Sequence, residues 1–111
     1  MNYEYKIVKE AYDAIKRKDK TIEFRLLNEK SLKINTGDYI KFNVIDGSEY
    51  VDTKVVNKYI YNDVEELWNS KEVENNILGY SKEELYQALY DIYGKEKVDK
   101  SKIVGFKIEL I

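Results

Sequence analysis

The sequence has 111 residues, of which 43% are hydrophobic and 36% charged, with a formal net charge of −2. That length and balance suit one globular domain, residues 1–111, with enough apolar surface to offset the entropy of ordering the chain, and they weigh against disorder. There is no His and no Cys, which excludes Ser-His-Asp and Cys-His catalysis, the usual zinc sites and any disulfide partner. Proton transfer would fall to Glu, Asp, Lys or Tyr. No cofactor or metal site is expected. No apolar run approaches the roughly 20 residues needed to cross a bilayer, and Met1–Lys6 alternates polar and aromatic residues unlike a signal peptide. The expectation is a cytoplasmic monomer without membrane attachment.

Eleven Tyr stand against three Phe. Such a bias suits boundary packing, with the ring inward and the hydroxyl wet, or a platform for stacking bases. Between Ala14 and Lys33 seven basic residues (Lys16, Arg17, Lys18, Lys20, Arg25, Lys30, Lys33) face Asp19, Glu23 and Glu29. A local patch of that kind could hold a few phosphates on an acidic protein. Lys16, Arg17 and Lys18 also suit the end of a helix, where cations favour the negative end of the dipole.

Tyr3 to Val8 predicts a short first strand. From Lys9 to Lys18 the spacing of Val8, Tyr12 and Ile15, with Ala11 and Ala14 beside them, predicts a three-turn amphipathic helix. At Lys20 the period changes to two: Ile22, Phe24 and Leu26 alternate with Thr21, Glu23 and Arg25. Asn35-Thr36-Gly37-Asp38 reads as a turn, and Tyr39–Ile45 as a strand with Ile40, Phe42 and Val44 on one face. Asp46-Gly47 predicts a tight hairpin turn, with Tyr50–Tyr61 returning. Asp63 with Glu66, and Ser81 with Glu84, are capping-box signals. Leu85, Ala88, Leu89 and Ile92 follow at helical spacing up to Gly94, and Lys102–Ile111 alternates again, with Val104, Phe106, Ile108 and Leu110 on one face. The fold class is α+β: a small, curved, mostly antiparallel sheet or barrel flanked by helices.

The strand Lys20-Thr21-Ile22-Glu23-Phe24-Arg25 carries the chemistry. With its apolar members facing the core, Thr21, Glu23 and Arg25 line the opposite face about 6–7 Å apart, and Lys20 can swing toward them. By periodicity alone, a solvated face with a modest Glu–Arg pair explains the same pattern.

The segment from Ile15 through Phe42 resembles the ASCH domain family, which shares the PUA-like β-barrel fold. The shared elements are the polar helix end Ile15–Asp19, the run Lys20-Thr21-x-Glu23-x-Arg25, a spacer, Gly37-Asp38 and the strand from Tyr39. The likeness continues through the strand ending near Tyr59, Leu78-Gly79-Tyr80 and the closing Val104–Ile108, nearly the whole chain. The family's usual Gly before the Lys-Thr pair is Asp19 here. The resemblance implies a PUA-like small mixed barrel with a cleft in which Lys20, Thr21, Glu23 and Arg25 face RNA or a nucleotide or nucleoside ligand. It also implies a shaping role for Gly37 and Asp38. Lys20 and Arg25 would meet phosphate or a base carbonyl, and Glu23 an exocyclic amine.

Some small ASCH proteins are amidohydrolases of N4-acetylcytidine-type nucleosides, and some relatives are reported as ribonucleases. In the amidohydrolases a threonine nucleophile occupies the position of Glu23, a lysine matching Lys20 activates it, and a glutamate further along assists. Glu74 matches that glutamate only if the alignment slips by several residues. If the chain is an enzyme, its catalytic pair is Lys20 and Glu23, acting on a modified nucleoside or on RNA. A third possibility is a protein-interaction module. An RNA binder should carry positive potential beyond the cleft, a nucleoside enzyme a small closed pocket, and an interaction module a contiguous apolar patch.

Overall fold

The structure, a computed structural model, describes residues 1–76 and 81–111. Leu78, Gly79 and Tyr80, which the family resemblance singles out, lie outside the described residues, as does the side chain of Glu74. Strand β1 (Asn2–Ile7) leads to helix α1 (Lys9–Lys16), strand β2 (Ile22–Leu26), helix α2 (Glu29–Lys33) and the hairpin of β3 (Tyr39–Val44) and β4 (Tyr50–Tyr61). Helices α3 (Val64–Trp68), α4 (Lys71–Asn76), α5 (Lys82–Tyr93) and α6 (Lys95–Lys100) precede the last strand, β5 (Ile103–Leu110).

The five strands form one sheet in the order β1-β3-β4-β5-β2. Only β1 and β3 run parallel; the other three pairings are antiparallel. Strand β4, 12 residues long, pairs with β3 through its first half and with β5 through its second. Its register against β5 shifts between Val55 and Asn57. Irregularities of this kind bend a strand and increase its twist, and here the sheet curls into a half-barrel that brings its edge strands, β1 and β2, toward each other. The mixed α+β half-barrel matches the expected fold class.

Two apolar clusters fill the molecule. One lies inside the curl and includes Ile7, Tyr12, Ile15, Ile40, Phe42 and Phe106. The other lies under the helices and includes Leu26, Tyr61, Leu67, Leu85, Leu89 and Ile103. Strand β5 serves both, because Val104 and Phe106 face the first and Ile103 the second. Tyr59, Tyr86, Tyr90 and Tyr93 pack around the second cluster, half-buried, as boundary tyrosines do.

The sequence signals are met at several points and missed at others. Gly37 (φ +96°) and Gly47 (φ +77°) occupy the left-handed region at the two turns. The hairpin connection runs over residues 45–49, longer than the expected two-residue turn, with the Val44 amide donating to the Glu49 carbonyl at 2.9 Å. Ser81 and Glu84 form a reciprocal capping box on α5. Helix α2 was hidden in what reads as a spacer, because five residues show no helical period; Asn28 and Ser31 cap it reciprocally. Helix α6 is likewise short, with only Val98 buried.

Gly105 of β5 lies opposite Phe24 of β2. A Cβ at this position would sit 3.2 Å from the Phe24 ring and 3.4 Å from the Ile22 methyl. Gly105→Val therefore crowds the Phe24 ring and is expected to cost about 1–3 kcal/mol in denaturant unfolding. Undiminished stability would contradict this close packing.

Candidate ligand-binding site

Helix α1 ends at Arg17, and Lys18 takes a left-handed conformation (φ 66°). The amides of Asp19 and Lys20 both donate to the Ala14 carbonyl, at 2.9 and 3.1 Å, folding the chain back into β2. The left-handed residue is Lys18, so Asp19 in the family's usual glycine position demands no backbone strain. This turn delivers Lys20 half-buried beside the strand.

Strand β2 is covered on both faces, which corrects the expectation of a core face and an open polar face. Phe24 packs against the second cluster, while Glu23 is only 7% exposed. A solvated face does not describe it. Glu23 Oε1 lies 3.8 Å from Lys20 Nζ and 3.8 Å from Arg25 Nε, beyond hydrogen-bonding reach of either cation. Glu23 Oε2 and Arg25 Nε are buried with no hydrogen-bond partner. Two neighbouring side chains of opposite charge thus each hold a buried polar atom without a partner, an uncommon arrangement in native structures.

Arg25 is anchored from its other end. Its Nη2 donates to the Lys6 carbonyl of β1 at 3.0 Å, and its guanidinium stacks 4.3 Å from the Tyr5 ring centroid. Lys30 Nζ sits 4.0 Å from the same ring and donates to the Glu4 carbonyl. Burial and the neighbouring Arg25 charge, in that order, lower the pKa of Lys30. The Tyr5 hydroxyl, also buried, has no hydrogen-bond partner. Burial pushes it up to about 12, with Arg25 opposing the shift.

Lys20, Glu23, Phe24 and Arg25 form the floor of a cavity of about 520 Å³. Val8, Ala11, Ile45, Ala88 and Ile92 form its wall, and Lys6 stands at its rim. On α5, Leu85 and Leu89 are buried, but Ile92, read from the sequence as part of the same core face, is 66% exposed and overhangs the cavity instead. The wall was invisible to sequence reading because its members come from three distant segments. Thr21 is not among the cavity residues. It borders a neighbouring depression with Ile15, Lys18 and Leu110, and its carbonyl accepts from Ile108. Among the described lining residues the aromatic ring is that of Phe24.

Gly37 and Asp38 lie away from the cavity, where they shape the turn into β3. Asp38 accepts from the Asn35 amide at 2.8 Å and from the chain's amino terminus at 3.1 Å. Among the described residues, no three acidic side chains gather in a group able to hold a metal ion.

The Tyr5 phenol gives an alkaline signature. Its folded-state pKa, about 12, lies above the model-compound value of 10.0. Stability due to the neutral phenol is therefore complete below pH 10 and falls as pH rises from 10 to 12. Tyr5→Phe removes that titration and no hydrogen bond. The variant is expected to be at least as stable as the parent at pH 7, and to lose less stability between pH 9 and 12 in denaturant melts. Destabilisation by more than about 1 kcal/mol at pH 7 would show that the hydroxyl is bonded.

No protein-family model matches the sequence, and neither does any curated protein. Solved structures do. Hypothetical protein PH0355 is 31% identical, with both chains fully covered and a TM-score of 0.84. PF0455 from Pyrococcus furiosus is 30% identical over all of this chain and 98% of its own, with a TM-score of 0.73. A mutant of ZmASCH from Zymomonas mobilis is 18% identical, covering 96% of this chain and 66% of its own, with a TM-score of 0.68. The ASCH domain from Lactobacillus crispatus is 12% identical, covering 98% and 79%, also with a TM-score of 0.68. The chain belongs to the same family as PH0355 and Pyrococcus furiosus PF0455, and its fold is that of the ASCH domain.

Proposed function

We propose that this protein binds a nucleobase-bearing ligand of nucleoside or nucleotide size in the cavity above Lys20, Glu23 and Arg25. The observation that carries the proposal is the pair of buried, unsatisfied atoms Glu23 Oε2 and Arg25 Nε. Both side chains line the cavity, and although the two atoms are closed to solvent in the free protein, a small side-chain rotation would turn one acceptor and one donor toward a ligand. Adenine and cytosine each present an exocyclic amine next to a ring nitrogen, the complementary pattern. Phe24 supplies an apolar ring beside them, and a base stacked on such a ring gains about 1–3 kcal/mol. A volume of about 520 Å³ lies in the usual range for small-ligand pockets.

Several observations favour a compact ligand over an RNA strand. Part of the basic run of the sequence is engaged locally. Arg17 pairs with Asp19, Lys33 with Glu29, and Lys30 lies over Tyr5. The cavity continues outward into aliphatic side chains instead.

Catalysis is a second reading, favoured by the burial of a carboxylate near a lysine. No hydroxyl or thiol lines the cavity among the described residues. A hydrolase working here would therefore activate water through Glu23, with Lys20 stabilising developing negative charge, rather than form an acyl-enzyme.

The test is an NMR titration with adenosine, cytidine and uridine. Adenosine or cytidine should shift the amides of residues 20–25, with uridine weaker because a carbonyl replaces its amine. Glu23→Gln should reduce affinity about tenfold or more, by loss of a charge-assisted hydrogen bond, and Lys20→Ala less. Ligands that leave residues 20–25 unperturbed would refute the proposal.

A further inference from the structure

The polar floor of the cavity accounts for one end of a ligand and leaves the other end to an aliphatic mouth. Val8 is 52% exposed, Ile45 62% and Ile92 66%. They come from the start of α1, the β3–β4 connection and α5, and they converge on one opening. Ala11 and Ala88 fill the space between them without narrowing it. The three large side chains contribute little to the core, yet they form a ready apolar surface for a bound group. Of the three cations that line the cavity among the described residues, Lys20 and Arg25 stand beside Glu23, which leaves Lys6 for the mouth. Nearby Lys9 is held by Glu49 and by Asp13, the latter at 3.2 Å.

A nucleoside seated with its base on Glu23 and Arg25 directs its sugar, and whatever the 5′ carbon carries, toward this mouth. A phosphate there would lose hydration against aliphatic walls without a set of donors to replace it. An apolar group would exchange water for those same walls at a gain. Resting on the function proposed above, we infer that the cavity selects nucleosides whose 5′ end is uncharged and apolar, bearing an alkylthio, alkyl or aryl group, over 5′-phosphorylated nucleotides and RNA.

Calorimetric titration of the full chain distinguishes these classes. The probes are the 5′-deoxy-5′-methylthio derivatives, the unmodified nucleosides and the 5′-monophosphates of adenosine and cytidine, together with a short single-stranded RNA. For whichever base binds, the methylthio derivative should bind about tenfold tighter than the nucleoside. The monophosphate should bind more weakly than either and show no strong salt dependence. Ile92→Lys, at an exposed position, leaves the fold intact. It should abolish the methylthio advantage and strengthen monophosphate binding. A wild-type protein that prefers the monophosphate or RNA, or an Ile92→Lys variant with the wild-type order of affinities, overturns this inference and leaves the base-binding proposal standing. If no probe binds at all, both fall.

Discussion

The architecture depends on how the two open edges of a curled five-stranded sheet are closed, and Arg25 is the group that closes them. It sits on edge strand β2 and donates across the seam to the Lys6 carbonyl of edge strand β1, while its guanidinium covers the Tyr5 ring. Lys30 reinforces the same edge through the Glu4 carbonyl. Exposed edges invite pairing with other chains, and charged side chains laid over them are a common remedy. A hydrogen bond from a charged donor contributes about 1.5–3 kcal/mol, which is appreciable beside a domain stability of about 5–15 kcal/mol. The seam is therefore held by side chains rather than by a sixth strand ladder.

The same clasp shapes the candidate site. With Nη2 committed to β1, Arg25 Nε is left facing Glu23 at 3.8 Å, too far to hydrogen-bond it. Lys20 stands off by the same 3.8 Å on the other side. A protein selected for stability alone would have closed these gaps or replaced the group with packed aliphatics. Keeping a buried carboxylate underbonded costs stability, and such departures from local consistency concentrate at functional sites. Above this polar floor the wall turns aliphatic, so the cavity has two chemically distinct ends. On the function proposed above, that asymmetry suits a compact ligand with a hydrogen-bonding head and an apolar tail better than a polyanion.

Much of this was legible in the sequence. Alternation from Ile22 to Leu26 located β2, and the run Lys20-Thr21-x-Glu23-x-Arg25 marked its chemistry, because period-two patterning and residue type are local properties. The capping residues Asp63 and Ser81 marked helix starts for the same reason. What could not be read were the consequences of curling. Alternation assigned Glu23 to an outer face, but that face is covered, and Glu23 lines the cavity walled by α1, the β3–β4 connection and α5. Thr21 shares the alternation with Glu23 yet borders a different depression, since β2 begins only at Ile22. Ile92 carried a helical core signal and became part of the cavity mouth. The helices α2 and α6 fell below the length at which periodicity separates helix from loop.

The central claim, that Glu23 Oε2 and Arg25 Nε are a recognition pair awaiting a base, is tested most directly by a crystal structure determined with adenosine or cytidine bound. The account predicts the exocyclic amine within about 3.2 Å of Glu23 Oε2, a ring nitrogen accepting from Arg25 Nε, and the sugar toward Ile45 and Ile92. A nucleoside bound elsewhere, or only ordered water bridging the two atoms, would contradict it.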